Sequence, residues 1–369
     1  MQKGSRPSLN SLLVVGANLR REVPILAHRV RKAALKGAKV ISMTPVTTEY
    51  LFPVAVSLLS APARQVDDLA AILSAAAQST GKSVPDHLAS AVQQAKVGDT
   101  HRAAAAALVA GEKRAVWLGA LAVRHPAYAD LRALASAIAE VTGASFGVLA
   151  EGGNAAGAFL AGAVPHRDAG GKAAGKTGLS ALDMLQKTLK AYILFGGVEP
   201  WIDSVGTEAS RNLAKAEFVV AITPFANDQL REIAHVLLPM GTYVETSGTY
   251  VNLEGTWQSQ NGAAQPVGEA RPGWKVLRVL GNLLNLSGFE YQSSEEVREE
   301  LRKLCTEVAA VGSASAGSAA TAYKGSHRVT QGSAGADVLD LSMYHIDALV
   351  RRAPSLQKTR EGRTLAVTY

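Results

Sequence analysis

The sequence predicts an α/β protein of two doubly wound parallel-sheet domains, and three observations carry that reading. Short apolar runs such as LLVV at 12–15 and YILF at 192–195 have the strand-favouring composition and the length of buried strands. Segments whose apolar residues recur at three and four spacing follow them, which is the period of an amphipathic helix. Both strands end in glycine, in SLLVVGANLRREVP at 11–24 and in YILFGGVEPW at 192–201. A glycine at the carboxyl end of a strand permits close approach of backbone or ligand, and the N-terminus of the next helix attracts anions.

Taken in order, strand 12–16, an amphipathic helix at about 24–36 and strand 39–43 form the first βαβ unit. Helices rich in Ala and Leu follow at 66–78, 85–95 and 101–110. Strand 115–119, helix 127–141 and strand 146–150 complete a parallel pattern whose short crossovers imply a doubly wound sheet. This gives a first domain at 1–165. Residues 166–178 are polar and Gly-rich, a linker by composition. The second domain, 179–306, reads as helix 180–189, strand 192–195, helix 207–215, strand 218–222, helix 228–234 and strand 236–238. The stretch 234–260 then runs from that strand into a Gly- and Thr-rich turn with Glu245 and Glu254, and on into a β-hairpin. Tyr250, Val251 and Trp257 favour its strands, while Gly248 and Gly255 supply positive φ for its turns. Helices at 274–285 and 294–304 follow. Residues 307–369 read as a flexible Ala/Gly/Ser linker at 309–322 and a docking helix at 344–352, on which Ile346, Leu349 and Val350 form an apolar stripe.

Composition limits the function classes. With 369 residues, 47% hydrophobic and 19% charged, the chain can bury large cores. Its longest apolar runs, 103–110 and 192–197, fall short of the roughly 18 residues of a transmembrane helix, so direct membrane insertion is not expected. The formal charge is +7. Arg20, Arg21, Arg29, Arg31, Lys32, Lys36 and Lys39 sit at helical spacing without interleaved aromatics to stack bases, which argues against nucleic acid. They read as a solvated helix face or as docking on an acidic neighbouring subunit. Cys305 is the chain's single cysteine, which excludes an internal disulfide framework and a thiolate site for zinc or iron and sulfur.

Several motifs invite sharper readings. GGKAAGKT at 170–177 satisfies the phosphate-loop pattern, yet Pro165, His166, Arg167, Asp168 and Ala169 precede it in place of a hydrophobic strand, so coincidence is expected. Glu245 and Glu254 could serve as acid and base, but capping of turn N–H groups is the expected role. The eight histidines, His28, His87, His101, His125, His166, His235, His327 and His345, form no HxH or HxxxH pair, so no metal site is expected. Asp203, Ser204 and Ser247 have no adjacent histidine to mark a hydrolase nucleophile.

The order Leu238, Pro239, Glu245, Gly248, Thr249, Asn252, Glu254, Gly255 and Gln260 resembles the molybdopterin oxidoreductase family, as do Gly16-x-Asn18-x5-Pro24 and Gly197-x-Glu199-Pro200. NLRRE at 18–22, VEP at 198–200 and IDALVRRAPSLQKT at 346–359 narrow the resemblance. They are similar to the molybdopterin oxidoreductase-like iron-sulfur subunits of bacterial NADH-quinone oxidoreductase, respiratory complex I. The resemblance implies domains like II and III of formate dehydrogenase and DMSO reductase. It also implies a subunit that passes electrons from NADH, through the flavin subunit, toward quinone by iron-sulfur clusters in an amino-terminal half. Those cluster cysteines have no counterpart here, so the chain is expected to be the carboxyl-terminal region only. Its partners would be other peripheral-arm subunits of complex I, on the cytoplasmic side of the bacterial inner membrane.

Two departures bear on the cofactor. Active members end the second strand in an Asp-Pro-Arg type turn that contacts the dinucleotide, where this chain has Met43, Thr44 and Pro45. They also carry a metal ligand upstream of the first Gly-x-Asn turn, and only ten residues precede Ser11 here. The expectation is a cofactor-free, vestigial pterin cleft at Gly16, Asn18, Thr44, Gly197, Glu199 and Glu245, with no catalytic or metal-binding residue. A fragment of an active molybdopterin-dependent oxidoreductase is the alternative, and a P-loop NTPase the third reading.

Overall fold

A computed structural model describes residues 9–149, 151–203, 208–313, 327–329, 338–340, 342–363 and 367–368. The chain forms two compact units, Met1–Gly152 with Ala316–Asp340 and Ala366–Tyr369, and Gly153–Ser315 with Leu341–Leu365.

In the first unit, β1 (Ser11–Val15) leads through a single turn, α1 (Leu19–Glu22), to α2 (Pro24–Ala34) and β2 (Lys39–Thr44). After β3 (Val56–Leu59) come α3 (Gln65–Thr80), α4 (Ala89–Gln94) and α5 (Asp99–Val109), then β4 (Arg114–Leu118), α6 (Ala120–Val123), α7 (Tyr128–Thr142) and β5 (Ser145–Val148). All pairings among these strands are parallel, and their order is β3-β2-β1-β4-β5. The order reverses between β1 and β4. Because β1 lies between helices on both faces, its residues are apolar without alternation. Leu13 and Val15 enter the core beneath α3, α5 and α7, whereas Leu12 and Val14 meet Ala27, Val30 and Ala34 of α2.

β3 has no counterpart among the expected strands. It is an edge strand of alternating half-burial, too short and too close behind Pro53 to stand out as a periodic run.

The second unit contains α8 (Ala155–Ala161), α9 (Ala181–Gln186), β6 (Ala191–Phe195), α10 (Pro200–Asp203), α11 (Glu208–Ala214), β7 (Phe218–Thr223), α12 (Asp228–Ile233) and β8 (Val236–Pro239). β6, β7 and β8 form a parallel sheet in that order. Tyr192, Leu194, Val219 and Ala221 pack with Leu213 of α11 and Leu230 of α12. The expected hairpin is present as β9 (Gly248–Val251) antiparallel to β10 (Trp257–Gln260), followed by α13 (Gly273–Leu283) and α14 (Ser294–Ser313).

Two expectations near the carboxyl end are corrected. Helix 294–304 continues to Ser313, over residues expected to begin a flexible linker, because Ala309 and Ala310 are strong helix formers; residues 314–322 of that linker lie outside the described residues. The helix expected at 344–352 is broken. After β11 (Leu339–Asp340), α15 (Met343–Ile346) stops at Asp347, whose side chain accepts from Leu349 N at 2.9 Å and Val350 N at 2.8 Å and so starts a separate turn at Val350–Arg352. The short α16 (Pro354–Gln357) follows, and β12 (Val367–Thr368) pairs with β11 in the first unit.

Candidate functional site

In an open parallel sheet, ligands bind outside the carboxyl ends of the strands where the strand order reverses, which here is between β1 and β4. Gly16, just past β1, has φ of +60°, and a Cβ there would lie 2.5 Å from Ala122 N on α6. Only glycine fits so close an approach. Gly119 N donates to Val15 O at 2.8 Å and Leu121 N to Gly16 O at 2.9 Å, so the turns after β1 and β4 are bonded to each other. The helix-terminal donors facing this crevice hold a carboxylate from the chain itself. Glu22 Oε1 accepts from Asn18 N at 2.6 Å and Oε2 from Ala120 N at 2.9 Å. Burial pushes the Glu22 carboxyl above the usual carboxylate range, against the pull of those two N–H groups.

Thr44, at the end of β2, is buried. Its carbonyl accepts from Ser60 N at 2.9 Å, while its hydroxyl has no hydrogen-bond partner.

The corresponding turn of the second unit is built differently. Gly197 has φ of +85°, with Pro224 Cδ 3.3 Å from where its Cβ would stand. Two residues on, Glu199 is only 1% exposed. Its N–H donates to Asp203 Oδ2 at 2.7 Å, and its Oε1 accepts from Asn227 Nδ2 at 3.1 Å. Its charge is met by Arg351 and Arg352 from the turn after α15. Arg351 also pairs with Asp203 at 2.7 Å and reaches Gly197 O at 3.4 Å, and the Arg352 guanidinium stacks over Phe225 at 4.2 Å. The C-terminal segment therefore covers the carboxyl ends of β6 and β7.

Glu245 caps a single turn, accepting from Thr242 N at 2.8 Å and Thr242 Oγ1 at 3.0 Å. In the hairpin Asn252 Oδ1 accepts from Glu254 N at 2.9 Å and Thr256 N at 3.0 Å. An Asn side chain reaches its own backbone two residues on and so closes the turn. Gly255 supplies φ of +75° to the same turn, and Gln260 Nε2 donates to Tyr243 O at 3.1 Å. Gly248, expected to supply positive φ as well, instead opens β9 with ordinary strand backbone. A polar cleft of ≈ 510 Å³ opens beside this segment, bordered by Glu245, Arg271, Trp274, Lys275 and Ser294.

Several other chemistry-bearing residues are tied into the fold. Ser60 Oγ donates to Asp68 Oδ2 at 2.6 Å, and Asp68 Oδ1 lies 3.2 Å from His101 Nε2. His101 Nδ1 accepts from Gly98 N at 3.0 Å, which leaves the imidazole proton on Nε2 for Asp68. The carboxylate stands between serine and histidine, so the imidazole does not face the hydroxyl and the Ser-His-Asp order of a hydrolase triad is not formed. His125 Nδ1 accepts from Ala127 N at 2.9 Å while Nε2 meets Pro62 O at 2.9 Å, and His235 Nδ1 accepts from Val219 N at 3.1 Å. The Walker-like segment has neither a preceding strand nor a following helix at the loop. Arg167 and Ala173 bridge antiparallel, Gly170 lies against Leu304 of α14, and the next helix begins only at Ala181. Ser204 lies outside the described residues. Burial raises the Cys305 thiol pKa, which suppresses the thiolate. Among the described residues no group of three or more His, Cys, Asp or Glu could hold a metal ion, and no helix is long and apolar enough to cross a membrane.

Glu22, Asn227, Arg351 and Arg352 stand at the strand ends without having been expected there. Glu22 has a signal in the sequence, an acid in the first helical turn after Asn18. Arg351 and Arg352 have none, since Glu199 is 153 residues from Arg352.

A parallel sheet with helices on both faces and its crevice at the β1/β4 reversal defines the class of doubly wound α/β folds. The sequence model of the molybdopterin oxidoreductase family matches residues 10–283, and the chain belongs to that family. Among solved structures, acetylene hydratase from Pelobacter acetylenicus is similar with a TM-score of 0.55 at 15% identity, over 76% of this chain and 48% of that one. The shared property is the fold, and this chain spans about half the length of that protein. No curated protein matches the chain in sequence.

Proposed function

We propose that the chain is the carboxyl-terminal, cofactor-free region of an iron-sulfur subunit of NADH-quinone oxidoreductase, and that it serves as scaffold and docking surface in the peripheral arm. The observation that carries the reading is that each sheet's strand-end carboxylate is answered from within the chain. A pterin dinucleotide would bring phosphates to the β1/β4 crevice, but the N–H groups of Asn18 and Ala120 already hold Glu22, and a phosphate placed there would face that carboxylate at close range. In the second unit the C-terminal segment lies over the strand ends, held by two ion pairs to Glu199. The residues present therefore do not fit a pterin dinucleotide. Arg351 and Arg352 belong to the IDALVRRAPSLQKT stretch that resembles the complex I proteins, which is the sequence support for the narrower family. Its partners would be the other peripheral-arm subunits, on the cytoplasmic side of the inner membrane, with the iron-sulfur clusters in a segment this chain does not contain.

Two measurements test the proposal. Elemental analysis of the purified chain for molybdenum, tungsten and iron, with pterin fluorescence after denaturation and oxidation, should give background values. Near-stoichiometric molybdenum would establish instead an active oxidoreductase fragment, the reading that family membership alone favours. A tagged chain expressed in its native cell should co-migrate on native gels with NADH dehydrogenase activity, and migration apart from that activity would remove the complex I assignment.

A further inference from the structure

The chain's net charge is concentrated in one segment. Residues 20–39 carry Arg20, Arg21, Arg29, Arg31, Lys32, Lys36 and Lys39 against one carboxylate, Glu22, which accounts for +6 of the total +7. The other 349 residues, with 31 cations and 30 carboxylates, are within one charge of neutral. Glu22 does not offset its neighbours at the surface, because its oxygens are turned inward onto Asn18 N and Ala120 N.

Helix α2 carries three of these cations, and Lys36 follows in the turn that ends it. At about 100° per residue, His28, Arg29, Arg31 and Lys32 fall in a single arc opposite Ala27, Val30 and Ala34, which face the sheet. Within that arc Ile25 is 71% exposed and Leu35 57%. A face that is merely solvated usually interleaves acids with bases at three and four spacing, which stabilises the helix and limits self-repulsion. This one has no acid from Val23 to Lys39 and keeps two aliphatic side chains in water. Arg31 is also fixed in place, donating from Nε to Leu51 O at 3.1 Å, beside the exposed Leu51.

We propose that this outward face of α2 is a docking surface for an acidic protein, one whose carboxylates surround apolar recesses for Ile25 and Leu35. Charge complementarity selects the sign of the partner and speeds encounter, and the two aliphatic side chains would supply the buried anchors. An anionic bilayer fits less well. The helix's own apolar stripe is committed to the sheet, and the arc offers no aromatic residue to seat at a lipid interface. Nucleic acid fits less well for the same lack of aromatics. The choice of a protein partner rests on the docking role proposed above, whereas the charge asymmetry stands without it.

The test uses the full chain and a synthetic peptide of alternating Glu and Leu as the acidic, apolar probe, with poly-glutamate and phosphatidylserine vesicles alongside. Two triple variants are compared: Lys32→Glu, Lys36→Glu and Lys39→Glu, exposed on α2, in the turn that ends it and at the start of β2, and Lys187→Glu, Lys190→Glu and Lys215→Glu, likewise exposed in the second unit. The first should weaken peptide binding by about ten-fold or more while the second leaves it nearly unchanged. Ile25→Ser with Leu35→Ser should weaken the Glu-Leu peptide and leave poly-glutamate unaffected. Equal loss in both triple variants would overturn the surface. Tighter binding to vesicles than to peptide, abolished by the α2 changes, would replace the protein partner with a membrane. Failure of the chain to co-migrate with NADH dehydrogenase activity would remove the complex I assignment and leave this result untouched.

Discussion

Glu22 and Glu199 occupy comparable places at the carboxyl ends of the two parallel sheets, yet their charges are answered by different means. Glu22 is held by two main-chain N–H groups, supplied by turns that β1 and β4 themselves fix. Glu199 is held by Arg351, Arg352 and Asn227, two of them from a segment more than 150 residues away in sequence. Backbone donors persist through any substitution except proline, so the first arrangement depends on Glu22 and on the glycines that let the turns meet. The second depends on side chains and on docking of the C-terminal segment. The first unit thus answers its strand-end carboxylate with main-chain donors, and the second with side chains from a distant segment.

The largest effect that would break this comparison is loss of Glu199. Removing one partner of a buried ion pair leaves the others charged and unpaired, at a cost of about 3–5 kcal/mol. Glu199→Ala should therefore lower the urea midpoint of the second unit, with amide exchange rising at β6 and around Arg351 and little changed in the first unit. Adding Arg351→Met to Glu199→Met should restore part of the loss. A single variant as stable as the native chain would mean that the ion cluster holds nothing in place.

Next come the glycines. Gly16→Ala forces a side chain into left-handed backbone at about 1–2 kcal/mol and drives its Cβ against Ala122 N, adding about 1–3 kcal/mol of overpacking. Gly197→Ala meets Pro224 Cδ only at 3.3 Å, so it should lose about the backbone term alone, 1–2 kcal/mol. Thermal melts of the two variants should rank in that order. The reverse order would show that the β1 turn is the looser of the two.

A smaller effect separates charge from shape in the second unit. Arg352→Lys keeps the cation but loses the planar fork and the stacking over Phe225, at a cost of about 1 kcal/mol. Urea denaturation should place it well short of Glu199→Ala, and an equal loss would shift the weight of the cluster from Arg351 to Arg352.

The sequence disclosed the scaffold more readily than the pairings at the strand ends. LLVV at 12–15 and YILF at 192–195 are legible because a strand covered on both faces needs continuous apolar residues. Gly16 and Gly197 are legible as turn residues for a related reason: both require positive φ. Their neighbours' roles are not. Nothing local marks Glu22 as the carboxylate that Ala120 N will meet, since that contact depends on β4 pairing beside β1. Asp347 hid in an apolar stripe that reads as one helix until its side chain caps the following turn. For Arg351 the partner is chosen by where the chain returns, which no spacing encodes.

The smallest expected effect is a pH dependence, and it tests whether Glu22 is a strained guest among its two N–H donors. Burial raises its pKa in the folded chain, so between the unfolded value, about 4.3, and the raised folded value the native state binds the proton that the unfolded state has released. Stability falls with pH wherever the folded state binds more protons. The contribution of Glu22 is thus fully present below its unfolded pKa and is lost as pH rises through the folded pKa. Glu22→Gln removes the titration while keeping one oxygen for one of the two N–H groups. The stability of the native chain relative to Glu22→Gln should therefore decline as pH rises from about 4 and level off once the carboxyl is ionised, read by urea denaturation of the first unit at successive pH values. A difference that is flat across that range, or that grows with pH, would mean that the N–H groups of Asn18 and Ala120 outweigh burial, and that the crevice holds its carboxylate as firmly as the arginines hold Glu199.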